Sequence, residues 1–456
     1  LFERTKSLIS KVVSKIFPNK NLENNIDVDI NISDDMTRAI ELWTQMYEDN
    51  PTWLEEENLQ SLNTASSIAS ELARLVTIEM KSEVTGSKRA DYLNKQYQRV
   101  IDNIRVNTEY ACAKGGIIFK PYVDGKNIAV DCVQQGEFYP VKFNSNGDLI
   151  AAIFPDTIIE KNKKYTRLEY HHLMDDEIYY ISNKCYNEAG KEIELTKVET
   201  WKDIEPEVNL RGVEIPLFSY FKMPLANNVD SKSNLGVSVY SKATNIIKEI
   251  DKQHTKILWE YEGTELAIDV NIDMLKNGSK LPKGKDRLFR RLDTEDEDFY
   301  KTFNPDIRDE PLFNGLNKLL KRVEFNCGLA YGTLSDIEVV EKTAEEIKAS
   351  KQRSYSTVVD IQKALKVSLE NLLYAMDYLA TYDKLEDKGE YEVSFEFDDS
   401  IIIDSKSEQA IMMQEVAAGL IKPEKYLMER YGVTEDQARD MMPSMNEPNE
   451  PPDGLE

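Results

Sequence analysis

Cys327-Gly328-Leu329-Ala330-Tyr331-Gly332-Thr333-Leu334 and, a few residues on, Lys342-Thr343-Ala344-Glu345-Glu346-Ile347 are the stretch from which the organisation of this chain can be read. Glycine just past a helix takes the left-handed conformation without a Cβ penalty, so Gly328 and Gly332 predict a helix end. Thr343-Ala344-Glu345-Glu346 predicts a helix start: the Thr343 hydroxyl accepts from the Glu346 amide while the Glu346 carboxylate reaches back. One helix therefore stops, a short irregular segment follows, and a new helix begins.

Upstream, Leu312, Leu316, Leu319, Leu320, Val323 and Cys327 trace an apolar stripe at helical spacing. Another runs through Val239, Ala243, Ile246, Ile247, Ile250, His254, Ile257, Leu258 and Tyr261, predicting one continuous helix of about seven turns. Between them, from Glu262 to Pro311, glycines, prolines and charge blocks break the regularity. The pattern predicts an antiparallel helix pair with a compact insert at its tip. Downstream of Thr343, Ile347, Tyr355, Val358, Val359, Ile361, Leu365, Leu369, Leu372, Leu373 and Met376 stripe a helix of about forty residues, too long for an ordinary small domain.

The amino-terminal part predicts helices first: one carrying Met36, Ala39, Ile40, Trp43, Met46 and Tyr47, one from Ile68 to Val76, and a third from Ala90 to Tyr110. After Lys114-Gly115-Gly116 the period changes to two. Strands are predicted at Ile117–Val123, Asn127–Val133, Gly136–Lys142, Leu149–Phe154, Tyr165–His172, Glu177–Asn183 and near Ile193–Trp201, with Asp124-Gly125 and Asn146-Gly147 as hairpin turns. This antiparallel block ends near Pro216. Glu390–Phe397 and Asp399–Asp404 read as strands, 407–418 and 434–441 as short helices, and the acidic, proline-rich tail from Asn446 as disordered. The fold class is α+β.

Apolar residues make up 41% of the 456, enough for a real core, and no apolar run approaches the roughly 18 residues that would span a bilayer. The basic segment Arg4–Lys20 has helical apolar spacing without a continuous signal-peptide block, which fits a membrane-surface helix or an arm packing on protein. Cys112, Cys132, Cys185 and Cys327 form no CxxC and read as packed thiols of a reducing compartment. A net charge of −25 excludes global phosphate neutralisation and repels polyanions.

The order of elements, with the 327–334 and 342–347 motifs and the approach Pro224-Leu225-Ala226-Asn227-Asn228 to Leu235-Gly236-Val237-Ser238, resembles the portal proteins of tailed bacteriophages, in the siphophage branch of Gram-positive hosts. That resemblance implies a portal fold and a ring, usually of about twelve copies, at one capsid vertex. It implies a wing over 1–236 and 343–404, stem helices over 237–262 and 308–332, and an α/β clip over 263–307. A tunnel loop over 333–342, a short crown over 405–445 and a tail over 446–456 complete the division. The implied partners are sister copies, duplex DNA in the channel, the terminase large subunit, a head–tail adaptor, and the major capsid and scaffolding proteins, with no membrane. The implied place is the virion, after assembly in the host cytoplasm. The implied roles are packaging, retention and ejection of DNA and head–tail joining, with no catalysis and no cofactor.

The tunnel-loop residues Thr333, Leu334, Ser335, Asp336, Ile337, Glu338, Val339, Val340 and Glu341 include no Lys or Arg, which suits sliding contact rather than phosphate binding, and Gly332 supplies flexibility. Lys276, Lys280, Lys283, Lys285, Arg287, Arg290 and Arg291 form the densest basic block, followed by Asp293, Glu295, Asp296, Glu297 and Asp298. These cations would meet DNA or an acidic partner, or would pair with the acids of an adjacent subunit. Gly278–Lys285 departs from a phosphate loop in spacing, and Asp286 stands where a magnesium-binding hydroxyl belongs. His171 and His172 adjoin Asp175 and Asp176, but neighbours on a strand face opposite ways, so a shared metal is disfavoured. No nuclease-like or nucleophile-elbow arrangement is present. The alternatives to a portal are a packaging nuclease or ATPase, or another minor capsid protein.

Overall fold

The structure, a computed structural model, describes residues 30–78, 80–263, 267–271, 289–292, 300–303, 307–336, 344–397, 412–431 and 435–442. The chain divides into two compact units, one ending at Phe397 and one beginning at Asp398. The basic amino-terminal segment, the predicted strand 399–404 and the tail from Asn446 lie outside the described residues.

The first unit opens with helices α1 (Asp34–Tyr47), α2 (Thr52–Glu56) and α3 (Thr64–Thr77). Ser33 caps α1 by accepting from the Met36 amide at 3.3 Å, and Asp34 and Asp35 complement the positive helix end. Met36, Ile40, Trp43 and Met46 are buried, as the stripe requires. The predicted third helix is instead two, α4 (Lys88–Ile101) and α5 (Ile104–Lys114). The break falls at Asn103, whose side-chain amide donates to the Arg99 carbonyl at 3.1 Å and competes for the helix ladder. Between α3 and α4 lies an unanticipated strand, β1 (Lys81–Thr85). Its inward residues are Ser82 and Val84, so only one apolar side chain marks the alternation.

Strands β2 (Gly116–Asp124) and β3 (Asn127–Gln134) form the predicted hairpin, with Asp124 opposite Asn127 across Gly125. Strands β4 (Tyr139–Phe143), β5 (Leu149–Glu160), β6 (Lys163–Leu173), β7 (Ile178–Asn187) and β8 (Glu192–Ile193) follow in antiparallel order, and β9 (Glu207–Arg211) also pairs with β7. The sheet-forming region does not end near Pro216. Strand β10 (Ser219–Lys222) pairs with the buried end of β2, and four residues are too few to show a period.

Helix α6 (Thr244–Gly263) starts later than its stripe suggested. The Val239 amide and the Ser238 hydroxyl are engaged by the Cys112 carbonyl, which keeps 238–240 out of the helix. Leu258 and Tyr261, expected on the buried face, are exposed. The insert contains β11 (Ala267–Asn271), β12 (Phe289–Leu292) and β13 (Tyr300–Phe303), with β11 central, parallel to β12 and antiparallel to β13. Helix α7 (Asp309–Cys327) and the long α8 (Ala344–Tyr382) match their predicted stripes. β14 (Glu392–Glu396) returns to pair with β1, Lys81 opposite Glu396.

The core gathers along α8. Val358, Ile361, Leu365, Leu369, Leu372 and Met376 are essentially solvent-free and pack on β2, β10 and α3. The Ser219 hydroxyl donates to the Ser368 carbonyl at 2.6 Å, fixing strand to helix. Arg89, 1% exposed, ties α4 to the far end of α8. Its guanidinium donates to the Asp377 carboxylate at 2.7 Å and to the carbonyls of Glu386 and Asp377 at 2.7 and 2.6 Å. Gly115, at φ +99°, and Gly236 approach so closely that a Cβ on Gly236 would lie 2.0 Å from the Gly115 carbonyl oxygen. Only glycine fits there.

Inside the large sheet His171 is enclosed by Phe154, Phe218 and Tyr179. Burial lowers its pKa against the pull of Glu169, which favours the neutral ring. Its Nε2–H then donates to Glu169 at 2.7 Å and its Nδ1 accepts from the Tyr179 hydroxyl at 2.8 Å. Burial alone would push the Glu169 carboxyl up, but Lys120 at 2.7 Å, His171 and Arg167 hold it well below the usual range. His172 contacts Tyr170 rather than this cluster, as alternation predicted, and burial, with Lys142, lowers it to about 4. All four cysteines are free, and burial pushes Cys132 and Cys185 up to about 11 and Cys327 up to about 12.

In the second unit, residues 412–417 are helical, within the predicted 407–418 segment, and a helix at Glu435–Asp440 falls within the predicted 434–441. A further helix, Pro423–Tyr431, was not anticipated. It begins on proline, which is tolerated at a first helical position but reads as a breaker in isolation.

Two outcomes follow for stability. Arg89→Ala empties a buried site and leaves several half-buried acceptors without a donor, and is expected to lower unfolding free energy by about 2 kcal/mol, read from the denaturation midpoint. Arg89→Lys should recover little, because an ammonium lacks the planar fork. For His172, the unfolded chain binds a proton below pH 6.5 while the folded chain resists it down to about pH 4. Stability therefore falls as pH drops across that window. His172→Gln should make the fall in thermal midpoint shallower, with His171, also lowered by burial, leaving a residual slope.

Candidate functional site

Three polar contacts set the register of the α6–α7 pair. The Asn326 amide donates to the Lys242 carbonyl at 3.2 Å, the Gln253 amide to the Leu312 carbonyl at 3.0 Å, and Arg308 meets Glu260 at 2.8 Å. Rising numbers on one helix meet falling numbers on the other, so the pair is antiparallel. The opposite side of α6 is fastened to the 51–62 segment. Asp251, 2% exposed, accepts from the Trp53 indole at 2.9 Å and the Leu62 amide at 3.0 Å. Burial pushes the Asp251 carboxyl up. Lys248 and Lys252 both reach Glu57.

With those sides covered, the pair still presents large apolar groups outward: Leu258, Trp259, Phe313 and Phe325. Trp259 is 66% exposed, unlike Trp43, Trp53 and Trp201, which are buried.

At the far end of α7 the expected helix stop is present. Gly328 takes φ +72°, and a Cβ there would lie 2.3 Å from the Thr357 hydroxyl of α8. Gly332 takes φ +89°. Of the predicted loop, Thr333, Leu334, Ser335 and Asp336 are described, while Ile337, Glu338, Val339, Val340, Glu341 and the Thr343 cap lie outside the described residues. Gly332, Leu334, Ser335 and Asp336 are tied to α7, while Thr333 bonds back to the Ala330 carbonyl. Glu324, fully buried, accepts from the amides of Gly332, Leu334 and Ser335 at 3.1, 2.6 and 2.8 Å through one oxygen. Its second oxygen accepts from the Ser335 hydroxyl at 2.9 Å. The Asp336 amide donates to Asn317 at 2.8 Å. Successive amides converging on an oxyanion form an anion nest, here filled by the chain's own carboxylate. Glu324 went unremarked in the sequence, although an acid beside Leu320, Val323 and Cys327 on an apolar stripe was a visible signal.

Helix α8 adds a second clamp. The Arg353 guanidinium stacks 4.5 Å from the Phe325 ring centre and 5.4 Å from that of Tyr331.

The basic block of the insert is described only in part. Arg290 and Arg291 lie on β12, opposite Asp269 and Val270 of β11, while Lys276, Lys280, Lys283, Lys285 and Arg287 lie outside the described residues, as does Gly278–Lys285. A cleft over the large sheet is lined by Lys120, Asp131, Asp156, Arg167 and Glu169. Its charges pair with one another: Lys120 with Glu169 and Asp131, Arg167 with Asp156 and Glu169. Among the described residues no cluster of three metal-ligating side chains occurs, and no helix is long and apolar enough to cross a membrane.

A family model described as phage portal protein, SPP1 Gp6-like, matches residues 36–449. No curated protein sequence matches the chain. Among solved structures, one chain from the neck of a native GTA particle computed with C12 symmetry is similar at 10% identity and a TM-score of 0.40. The match covers 80% of this chain and 89% of that one. With the family model matching it from the first described helix to beyond the last, the chain belongs to the phage portal proteins of the SPP1 Gp6-like family.

Proposed function

We propose that copies of this chain close into a ring at one capsid vertex, through which duplex DNA is packaged, retained and released, and on which head and tail are joined. The observation that carries the reading is the α6–α7 pair, which still shows Leu258, Trp259, Phe313 and Phe325 to the outside after packing on its own subunit. A contact between two different faces, repeated by rotation, closes into a ring when the rotation closes. Aromatic side chains held on rigid helices are the groups that dominate such contacts.

In this reading 237–262 and 308–332 are the stem, 263–307 the clip, 333–342 the tunnel loop, 1–236 with 343–404 the wing, and 405–445 the crown. The clip meets the terminase large subunit and then a head–tail adaptor, and the wing meets the major capsid and scaffolding proteins. The mechanism is steric and electrostatic. A loop with no cation from Thr333 to Glu341, on a chain of net charge −25, repels phosphates and lets the duplex slide. Assembly takes place in the bacterial cytoplasm and the finished ring resides in the virion.

The test is imaging. Purified full-length protein viewed down its axis by negative stain should give closed rings with a central hole wide enough for a duplex. Trp259→Glu and Phe313→Glu should each weaken assembly by on the order of a hundredfold in concentration, since about 3 kcal/mol of aromatic burial is lost at each contact. Circular dichroism should stay that of the wild type. Rings absent from the wild-type protein at every concentration and salt would overturn the reading.

A further inference from the structure

We propose that Glu324 is the positioning residue of the 333–342 segment: its buried carboxylate pins residues 332–336 onto the end of α7, so the segment leaves from a fixed base. The inference deepens the channel reading and rests on it for its functional meaning, although the pin itself is a property of one subunit.

Three observations carry it. Glu324 has no solvent exposure, and a carboxylate so placed is tolerated only if its oxygens are satisfied. Among the described residues, every hydrogen-bond donor on it comes from the segment it holds: the amides of Gly332, Leu334 and Ser335, and the Ser335 hydroxyl. Bonds of this kind to an ionised acceptor are roughly twice as strong as neutral ones. About two helical turns earlier, Asn317 exchanges bonds with Asp336, donating to its carbonyl at 3.5 Å and accepting its amide at 2.8 Å. The base is therefore held at two points along one helix, and displacement of the end of α7 must carry residues 332–336 with it. Where α7 ends, Thr357 and Arg353 of α8 stand against Gly328 and Phe325, so the base is referenced to the core helix as well.

Amide hydrogen exchange of the full-length protein, read by mass spectrometry on peptides covering 328–336, tests the pin. A peptide from 361–376 in α8 is the control. Glu324→Ala should speed exchange at Leu334 and Ser335 by on the order of tenfold to a hundredfold, with the control unchanged. Because that variant could unfold the region, Glu324→Gln, which keeps shape and loses charge, and Ser335→Ala, which removes one donor, are measured beside it. Each should speed exchange by a smaller factor. Unchanged exchange at 332–336 in Glu324→Gln and Ser335→Ala would overturn the proposal. The functional half is read in particles assembled with Glu324→Gln. Rings at the wild-type level with less packaged DNA support a positioning role, whereas wild-type DNA content with a loosened base overturns it. Absence of rings in the wild-type protein would sink the channel reading alone, and the exchange comparison would still decide the pin.

Discussion

Helix α8 buries one unbroken apolar stripe, and the first unit is arranged against it. From Val358 to Met376 the stripe faces β2, β10 and α3, while Arg89 binds its far end from α4. A helix of 39 residues is longer than any one neighbour. It therefore fixes, within a single rigid element, the distance between the α4 contact at Asp377 and the α7 contact at Thr357. Each apolar side chain on the stripe contributes about 1.5–3 kcal/mol of burial, so loss of register anywhere would be resisted along its whole length.

That constraint reaches the α7 terminus through contacts of different character. The close approach of Gly328 to Thr357 is steric, the Arg353 stack on Phe325 is electrostatic and dispersive, and the Glu324 nest is a set of charge-assisted hydrogen bonds. The loop base is thereby placed by the core rather than by its own sequence preferences. Gly332, which the sequence suggested as a source of freedom, supplies instead the positive φ that turns the backbone so that its own amide and those of Leu334 and Ser335 can converge on one oxygen.

What could be read from residues alone divides along physical lines. Long elements with many apolar repeats, such as α1, α7 and α8, were legible because each turn adds an independent vote for the period. The hairpin at Gly125 was legible because its turn residues have few alternatives. β1 and β10 were not, since a five-residue strand with Ser82 inward and a four-residue strand carry almost no period. The α4–α5 break was hidden because the buried positions Tyr97, Val100 and Ile104 continue smoothly across it, and only the side chain of Asn103 interrupts the ladder. The helix pair of the candidate site was legible, but not which of its apolar residues stay outside. Leu258 and Tyr261 have the spacing of core residues, and burial depends on where a partner ends.

The exposed aromatics and the buried acid on this helix pair obey one rule read in opposite directions. An apolar group costs free energy in water, and an ionised group costs far more away from it unless donors surround it. Glu324 meets its requirement entirely within the subunit, through amides that the turn at Gly332 presents. Trp259 and Phe313 do not meet theirs within the subunit. Local geometry can gather a few amides around one oxygen, because successive residues of a turn point the same way. It cannot cover several large rings along the outside of a helix pair, since that takes a surface as long as the helices, and the neighbouring elements are already committed to α8 and to the 51–62 segment. The polar requirement is thus met by sequence-local folding, and the apolar one is left to association.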